Sequence, residues 1–300
     1  MRLDMQKKMD AMKVKLIERS EEDELKGKTL GSAVSAVHTV QRSFSGWEDE
    51  TRAAPNALLR GALFSATQGR SKWFYERELI ATLDNYEIRY TGLQLTQLDL
   101  NLWETILHMS RNNPLGHEAS FSIYDILKRM GRGRSVRDYD RLKRSLARLR
   151  SADVEVTIKG KKTYFGALCG IAGELDEKTD SYKFKFSEGL ICLFDNGWSK
   201  LDYQHRRALR DKPLALWLQG LFSSHARPYP IKVETIHRLC GSDTKEIRYF
   251  KARLTKALEE LVSVGCLTDF SIKDGLLKVK KKPSKSQVKH IVKKGLLNGK

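Results

Sequence analysis

Two nine-residue segments set 110 positions apart constrain the fold more than any other feature. Ile123–Gly131 reads IYDILKRMG and Val233–Gly241 reads VETIHRLCG. The apolar positions, an early acidic residue and the closing glycine correspond. Ile123, Ile126, Leu127 and Met130 share one helical face. Glycine suits the sharp turn that follows, Gly131-Arg132-Gly133-Arg134 in the first copy. A capped amphipathic helix is expected after each glycine, with Ser135 as the first N-cap. Its apolar stripe is Val136, Tyr139, Leu142, Leu146 and Leu149, and the second stripe is Ile247, Phe250, Leu254, Leu258 and Leu261. A β-hairpin pattern then follows in both copies. In the first, Val154, Val156 and Ile158 alternate before the basic turn Lys159-Gly160-Lys161-Lys162, and Tyr164–Ala172 begins the return. In the second, Leu267–Ile272 and Leu276–Val279 flank Lys273-Asp274-Gly275, with basic neighbours.

Helix, turn, helix and hairpin in that order are the parts of a winged helix. The expected fold class is therefore α+β, with tandem winged-helix domains. Short amphipathic helices do resemble one another by chance, but agreement in element order favours duplication. Arg134, Arg137, Arg141, Lys143, Arg144, Arg148 and Arg150 lie off the first stripe, and Lys245, Arg248, Lys251, Arg253 and Lys256 off the second. An apolar stripe beneath so basic a surface is the layout of a helix that lies against DNA. A solvated basic face on a core helix is the alternative for either helix alone.

Charge decides between these readings. The net charge is +18, with 55 Lys and Arg against 37 Asp and Glu. Phe121–Lys162 alone holds thirteen basic and five acidic residues, a net of +8. That excess favours a polyanionic partner, nucleic acid before membrane, since no lipidation motif or long apolar run is present. A cytoplasmic or nucleoid location is expected. Cys169, Cys192, Cys240 and Cys266 show no CxxC spacing and read as reduced, mostly buried thiols.

Four regions are expected. Residues 1–55 form an N-terminal arm and linker, partly disordered, with Asn56 as the N-cap of the next helix. Residues 56–195 form the first winged-helix domain, 196–282 the second, and 283–300 a basic tail. In the first domain Leu59, Leu63 and Phe64 suggest a short helix, and Leu79–Leu83 with Tyr86–Tyr90 a hairpin turning at Asp84-Asn85. Thr96–Arg111 is a strong helix, paralleled later by the Trp217 segment, and Tyr182–Phe186 a further strand. Lys278–Lys300 has nine lysines and no acid, and reads as a flexible electrostatic arm.

Catalytic signatures are missing. There is no GxxxxGK[ST] loop, no HExxH and no pair of histidines one residue apart. Tyr139 and Tyr249 read as packing or phosphate-contacting groups, so no enzyme, cofactor or metal is expected. Ser135, Arg137 and Asp138 in one module, and Thr244, Lys245 and Arg248 in the other, stand at recognition-helix N-termini where bases are read. Arg132, Arg134, Arg141, Arg144, Lys251 and Arg253 would hold phosphates, with Lys161 and Lys162 on the wing.

The chain resembles the TrfA-type initiators of plasmid replication. Asn56–Phe64 (NALLRGALF), Tyr90-Thr91-Gly92-Leu93, the Leu100–Arg111 helix, Ser223–Pro230 (SSHARPYP), Leu239–Asp243 (LCGSD) and Glu259-Glu260-Leu261 carry the likeness. It spans roughly residues 40–272. The resemblance implies binding to repeated origin sequences called iterons, melting of an adjacent AT-rich segment into single-stranded DNA, and recruitment of the host initiator and replicative helicase. It also implies active monomers and inactive dimers, for which the first module and its hairpin near Asp84 are candidate surfaces. Family members can carry a Gln-containing, Leu/Phe-rich peptide that docks on the sliding clamp. Here the region reads Val40-Gln41-Arg42-Ser43-Phe44 and lacks the leucines. A transcriptional repressor built from the same modules is the competing reading. A nicking enzyme is a third, which predicts a covalent protein–DNA adduct.

Overall fold

Residues 43–44, 47–67, 73–83, 86–176 and 181–293 are described by the structure, a computed structural model. The chain begins with β1 (Thr51–Pro55), α1 (Asn56–Leu59), β2 (Phe64–Ser65), β3 (Phe74–Ile80), β4 (Tyr86–Leu93) and β5 (Leu95–Thr96). Helix α2 (Gln97–Met109) leads to β6 (Glu118–Ser122), α3 (Ile123–Arg129) and α4 (Val136–Arg150). Strands β7 (Asp153–Ile158), β8 (Lys161–Ala167), β9 (Gly170–Asp176) and β10 (Ser181–Lys185) follow, then α5 (Ile191–Asp195), β11 (Trp198–Asp202), α6 (Tyr203–Ala208) and α7 (Pro213–Ser223). The last part comprises β12 (Ile231–Lys232), α8 (Val233–Leu239), α9 (Ile247–Ser263), β13 (Asp269–Lys273), β14 (Leu276–Lys280) and α10 (Lys285–Lys293). The architecture is α+β, and the described residues form one compact unit.

The two segments match bond for bond where the first helix enters its turn. Gly131 (φ 63°) and Gly241 (φ 64°) both adopt left-handed backbone after a helix, where a side chain is strained. The amides of Met130, Gly131 and Arg132 donate to the carbonyls of Ile126, Lys128 and Leu127. Those of Cys240, Gly241 and Ser242 donate to Ile236, Arg238 and His237, the same pattern 110 residues later. A Cβ at Gly241 would also lie 2.9 Å from Ser65 Cβ. Both hairpins close with two successive left-handed residues, Lys159-Gly160 and Asp274-Gly275, which is the type I′ turn.

Sheet topology separates the copies. In the second, the strand before the helix–turn–helix joins the hairpin directly, in the order β12-β14-β13. In the first, the hairpin extends a four-stranded sheet, β3-β4-β7-β8, and β6 pairs instead with β10. Each copy has its own apolar core. Trp103, Ile126, Leu146 and Val154 lie in one, and Trp217, Ile236, Leu254 and Leu277 in the other. The indole of each tryptophan donates to a buried carbonyl, Trp103 to Leu168 O (2.9 Å) and Trp217 to Gly61 O (3.0 Å).

Several expectations are corrected. Thr51–Pro55 is a fully buried strand paired antiparallel with β11, not a linker. Ala53 and Ala54 have no exposure, so the chain on either side of the expected boundaries at 56 and 196 enters one core with Leu201. Pro55, not Asn56, is the N-cap of α1, and the Asn56 carboxamide accepts from Ser199 Oγ (2.7 Å). Helix α1 stops at Leu59, and Phe64 lies on β2, parallel to β5. Strand β3 begins at Phe74, well before Leu79, while the Asp84-Asn85 turn lies outside the described residues. The return after β8 breaks at Leu168-Cys169 into a separate strand, β9. The tail forms α10 as far as Lys293, with Ile291 buried. The arm before Ser43, including Gln41, also lies outside the described residues.

Asp99 organises the first module. It accepts from the Thr96 amide (2.8 Å) and hydroxyl (2.9 Å) at the start of α2, from Ser145 Oγ, and from Arg148 Nη2 (2.7 Å). Its carboxylate is fully buried, so removing its charge strands the Arg148 guanidinium. Asp99→Asn is expected to lower unfolding free energy by about 3–5 kcal/mol, read from urea denaturation.

His108 is buried with neither ring nitrogen hydrogen-bonded. Burial, then Arg52, Arg111 and Arg129, push its pKa down to about 3, against a weaker pull from Asp49. The folded imidazole stays neutral while the unfolded one gains a proton below pH 6.5. Stability is therefore lost as pH falls from about 6.5 towards 3, by at most about 1.4 kcal/mol per pH unit from this group. His108→Leu should flatten the urea-midpoint profile between pH 6.5 and 5, where carboxylates contribute least.

Candidate nucleic-acid interface

Helix α4 starts where Ser135 caps it. The Ser135 hydroxyl accepts from the Asp138 amide (3.2 Å) and donates to its carboxylate (2.6 Å), which holds the Asp138 pKa below the ordinary range. Helix α9 has no side-chain cap, and its N-cap is Glu246. Leu142, Leu146 and Leu149 are buried as the pattern predicts, as are Phe250, Leu254, Leu258 and Leu261. Val136 is not buried: it is 79% exposed, because the core ends one turn before the helix does. Ile247 is likewise 41% exposed.

The sequence-predicted contact residues divide into two groups. Arg137, Arg144, Lys245 and Lys251 are exposed, with no protein partner among the described residues. Arg134 is exposed and lies over the Tyr124 ring, 4.3 Å from its centroid. Arg248 is exposed and packs on Tyr249 (4.7 Å to the centroid), with Glu246 2.7 Å from its Nε. Stacking of this kind holds the Arg134 guanidinium in place while leaving its edge open to an acceptor, whereas Arg248 also donates from Nη2 to the Tyr249 hydroxyl (3.0 Å). Lys161 and Lys162 stand exposed where the first hairpin returns, and Arg141 is half-buried.

The second group is engaged with the protein itself. Arg132 is nearly buried, with Asp211 3.3 Å from its Nη1 and the Arg210 carbonyl as a further acceptor. Arg253 Nη1 donates to Thr244 Oγ1 at 2.6 Å, so these two residues bind each other. The Ser135 hydroxyl is committed to its cap. Arg148, part of the expected basic surface, is turned inward onto Asp99.

The sheet of the second copy supplies cations that were not among the predicted contact residues. Lys232, Lys273 and Lys278 line a cleft of about 760 Å³ with Glu234 and Asp274. The basic flanks of the Asp274-Gly275 turn were their visible signal. Burial pushes the Cys240 and Cys266 thiols up to about 12 and Cys169 higher, which keeps them protonated. Cys192 is exposed, not buried, and all four thiols are free. Among the described residues no cluster of His, Cys, Asp or Glu is placed to hold a metal, and no helix is long and apolar enough to cross a membrane.

The family model described as TrfA protein matches residues 32–281. The chain is 27% identical over 246 residues to the plasmid replication initiator protein TrfA of Escherichia coli. That alignment takes in 78% of this chain and 63% of the relative, so the chain spans less than two thirds of the curated relative's length. Two crystal structures of RctB domains 2 and 3 align at 15% identity. One covers 77% of this chain and 99% of its own (TM-score 0.49), the other 69% and 83% (TM-score 0.45).

The division of the arginines is testable. Arg144→Ala should lower the slope of log K against log salt for duplex DNA by about 0.9, the signature of one lost phosphate contact. Arg132→Ala should leave that slope unchanged and lower thermal stability instead. Equal slopes for wild type and Arg144→Ala would remove α4 from the interface.

Proposed function

The chain belongs to the TrfA family, and from that premise we propose that it initiates plasmid replication by binding repeated sequences in duplex origin DNA. We read each helix–turn–helix with its hairpin as a winged-helix module. The observation that carries this reading is the span of the family match, which takes in both modules together with exposed Arg137 and Arg248. Helices α4 and α9 enter successive major grooves, and hairpin lysines meet the flanking phosphates. Occupancy of several adjacent repeats bends the duplex and loads strain onto easily unstacked AT-rich steps. The strands so opened are the substrate for the host initiator and replicative helicase. Binding energy alone performs this work, and no residue acts as an acid, base or nucleophile. Monomers are the active form, and dimerisation withdraws them.

A plasmid carrying only this gene and its flanking DNA tests the proposal. It should replicate in a bacterial host and be lost when the reading frame is interrupted. The purified chain should shift the flanking DNA into a ladder, one step per repeat. A single complex on an inverted repeat over a promoter would mark a repressor instead. Arg248→Ala should weaken binding by about 1–3 kcal/mol and alter base preference in the same assay.

A further inference from the structure

We propose that Val136 reads the 5-methyl group of a thymine, at a helix position where the second module carries Arg248 instead. The inference rests on the DNA-binding reading above. Val136 is the most exposed large apolar side chain among the described residues, at 79%. It is the first residue of α4, the end that a recognition helix presents to the major groove. Among the described residues none buries it.

Its neighbour identifies what it faces. Val136 and Asp140 are four residues apart, so their Cβ atoms are about 5–6 Å apart on one line of the helix. Asp140 is also exposed and has no hydrogen bond or ion pair among the described residues. An apolar group beside an unpaired carboxylate repels phosphate. A strip made only to hold the DNA backbone would carry cations at both places, as it does at Arg144, the next position along the same line, and at Arg137 beside it. Base edges, in contrast, offer partners for both: the thymine methyl for an aliphatic side chain, and the cytosine amino group for a carboxylate. Val136 and Asp140 therefore face the floor of the groove while the arginines flank it.

The second module lacks this pair. Aligning the buried stripe Leu142, Leu146 and Leu149 with Leu254, Leu258 and Leu261 puts Arg248 and Ala252 in the places of Val136 and Asp140. The two helices are built to the same plan yet present different chemistry at the same points.

Thymine-to-uracil exchange removes the methyl and nothing else. The probe is the duplex most enriched from a random pool by the full chain, resynthesised with deoxyuridine at one thymine at a time. At one thymine the exchange should weaken wild-type binding about fourfold, the effect of burying one methyl-sized group. Val136→Ala should bind the thymine duplex about fourfold more weakly and no longer distinguish uracil at that position. This variant should fold normally, since the side chain is 79% exposed and belongs to neither core. Equal wild-type affinity for every uracil duplex, or an undiminished methyl preference in Val136→Ala, would overturn the inference and leave DNA binding intact. A pool that enriches no duplex would overturn the DNA-binding reading itself.

Discussion

Arg206 fastens the two halves of the molecule together. It lies on α6, between the cores, and is nearly fully buried. Its Nε donates to Glu104 Oε1 (2.6 Å) and Asn101 Oδ1 (2.8 Å) on α2, and its Nη1 to Gln219 Oε1 (3.1 Å) on α7. One guanidinium therefore links the central helix of the first core to that of the second. A buried ion pair of this kind adds little net stability compared with apolar packing, because both charges lose their hydration. What it does is specify: any other packing of the halves leaves a charge without its partner. Burial pushes the Glu104 pKa up, and Arg206 and Arg52 pull it back. The β1–β11 pairing and the Arg60 hydrogen bonds to Ser224 reinforce the same junction.

That junction gives the duplication its meaning. Two helix–turn–helix segments on a flexible tether would each search DNA alone. On the proposed function, one compact unit lets them meet a duplex jointly, with the ordering entropy of the second contact largely met by the fold. The first copy has a larger sheet than its counterpart, because its hairpin grows onto β3 and β4. The two copies thus differ in their surroundings and in the outward residues of α4 and α9, and share the glycine turns and the buried stripes.

Much of this was legible in the sequence, and the reasons for the rest are physical. Helices α4 and α9 declare themselves through leucines at three- and four-residue spacing, and their glycine turns through repetition. Val136 misled because helical periodicity continues past the point where the core ends. Arg148 misled because its partner, Asp99, is 49 residues earlier, and nothing local marks a cation as turned inward. Strand β1 was hidden for a related reason. A strand buried along its whole length shows no alternation, and its partner β11 lies far along the chain. Helix α10 was obscured by its lysines, although Ile291 anchors it. Exposed cations on a legible helix were found at Arg137, Arg144 and Arg248. Separating them from Arg132 and Arg253 required seeing what each one touches.

Hydroxyl-radical footprinting of the full chain on its selected duplex tests the central claim most directly. Two rigidly joined modules predict two protected backbone segments on one face of the DNA, about one helical turn apart, appearing together as protein is added. A single protected segment, or two that fill at different protein concentrations, would contradict it.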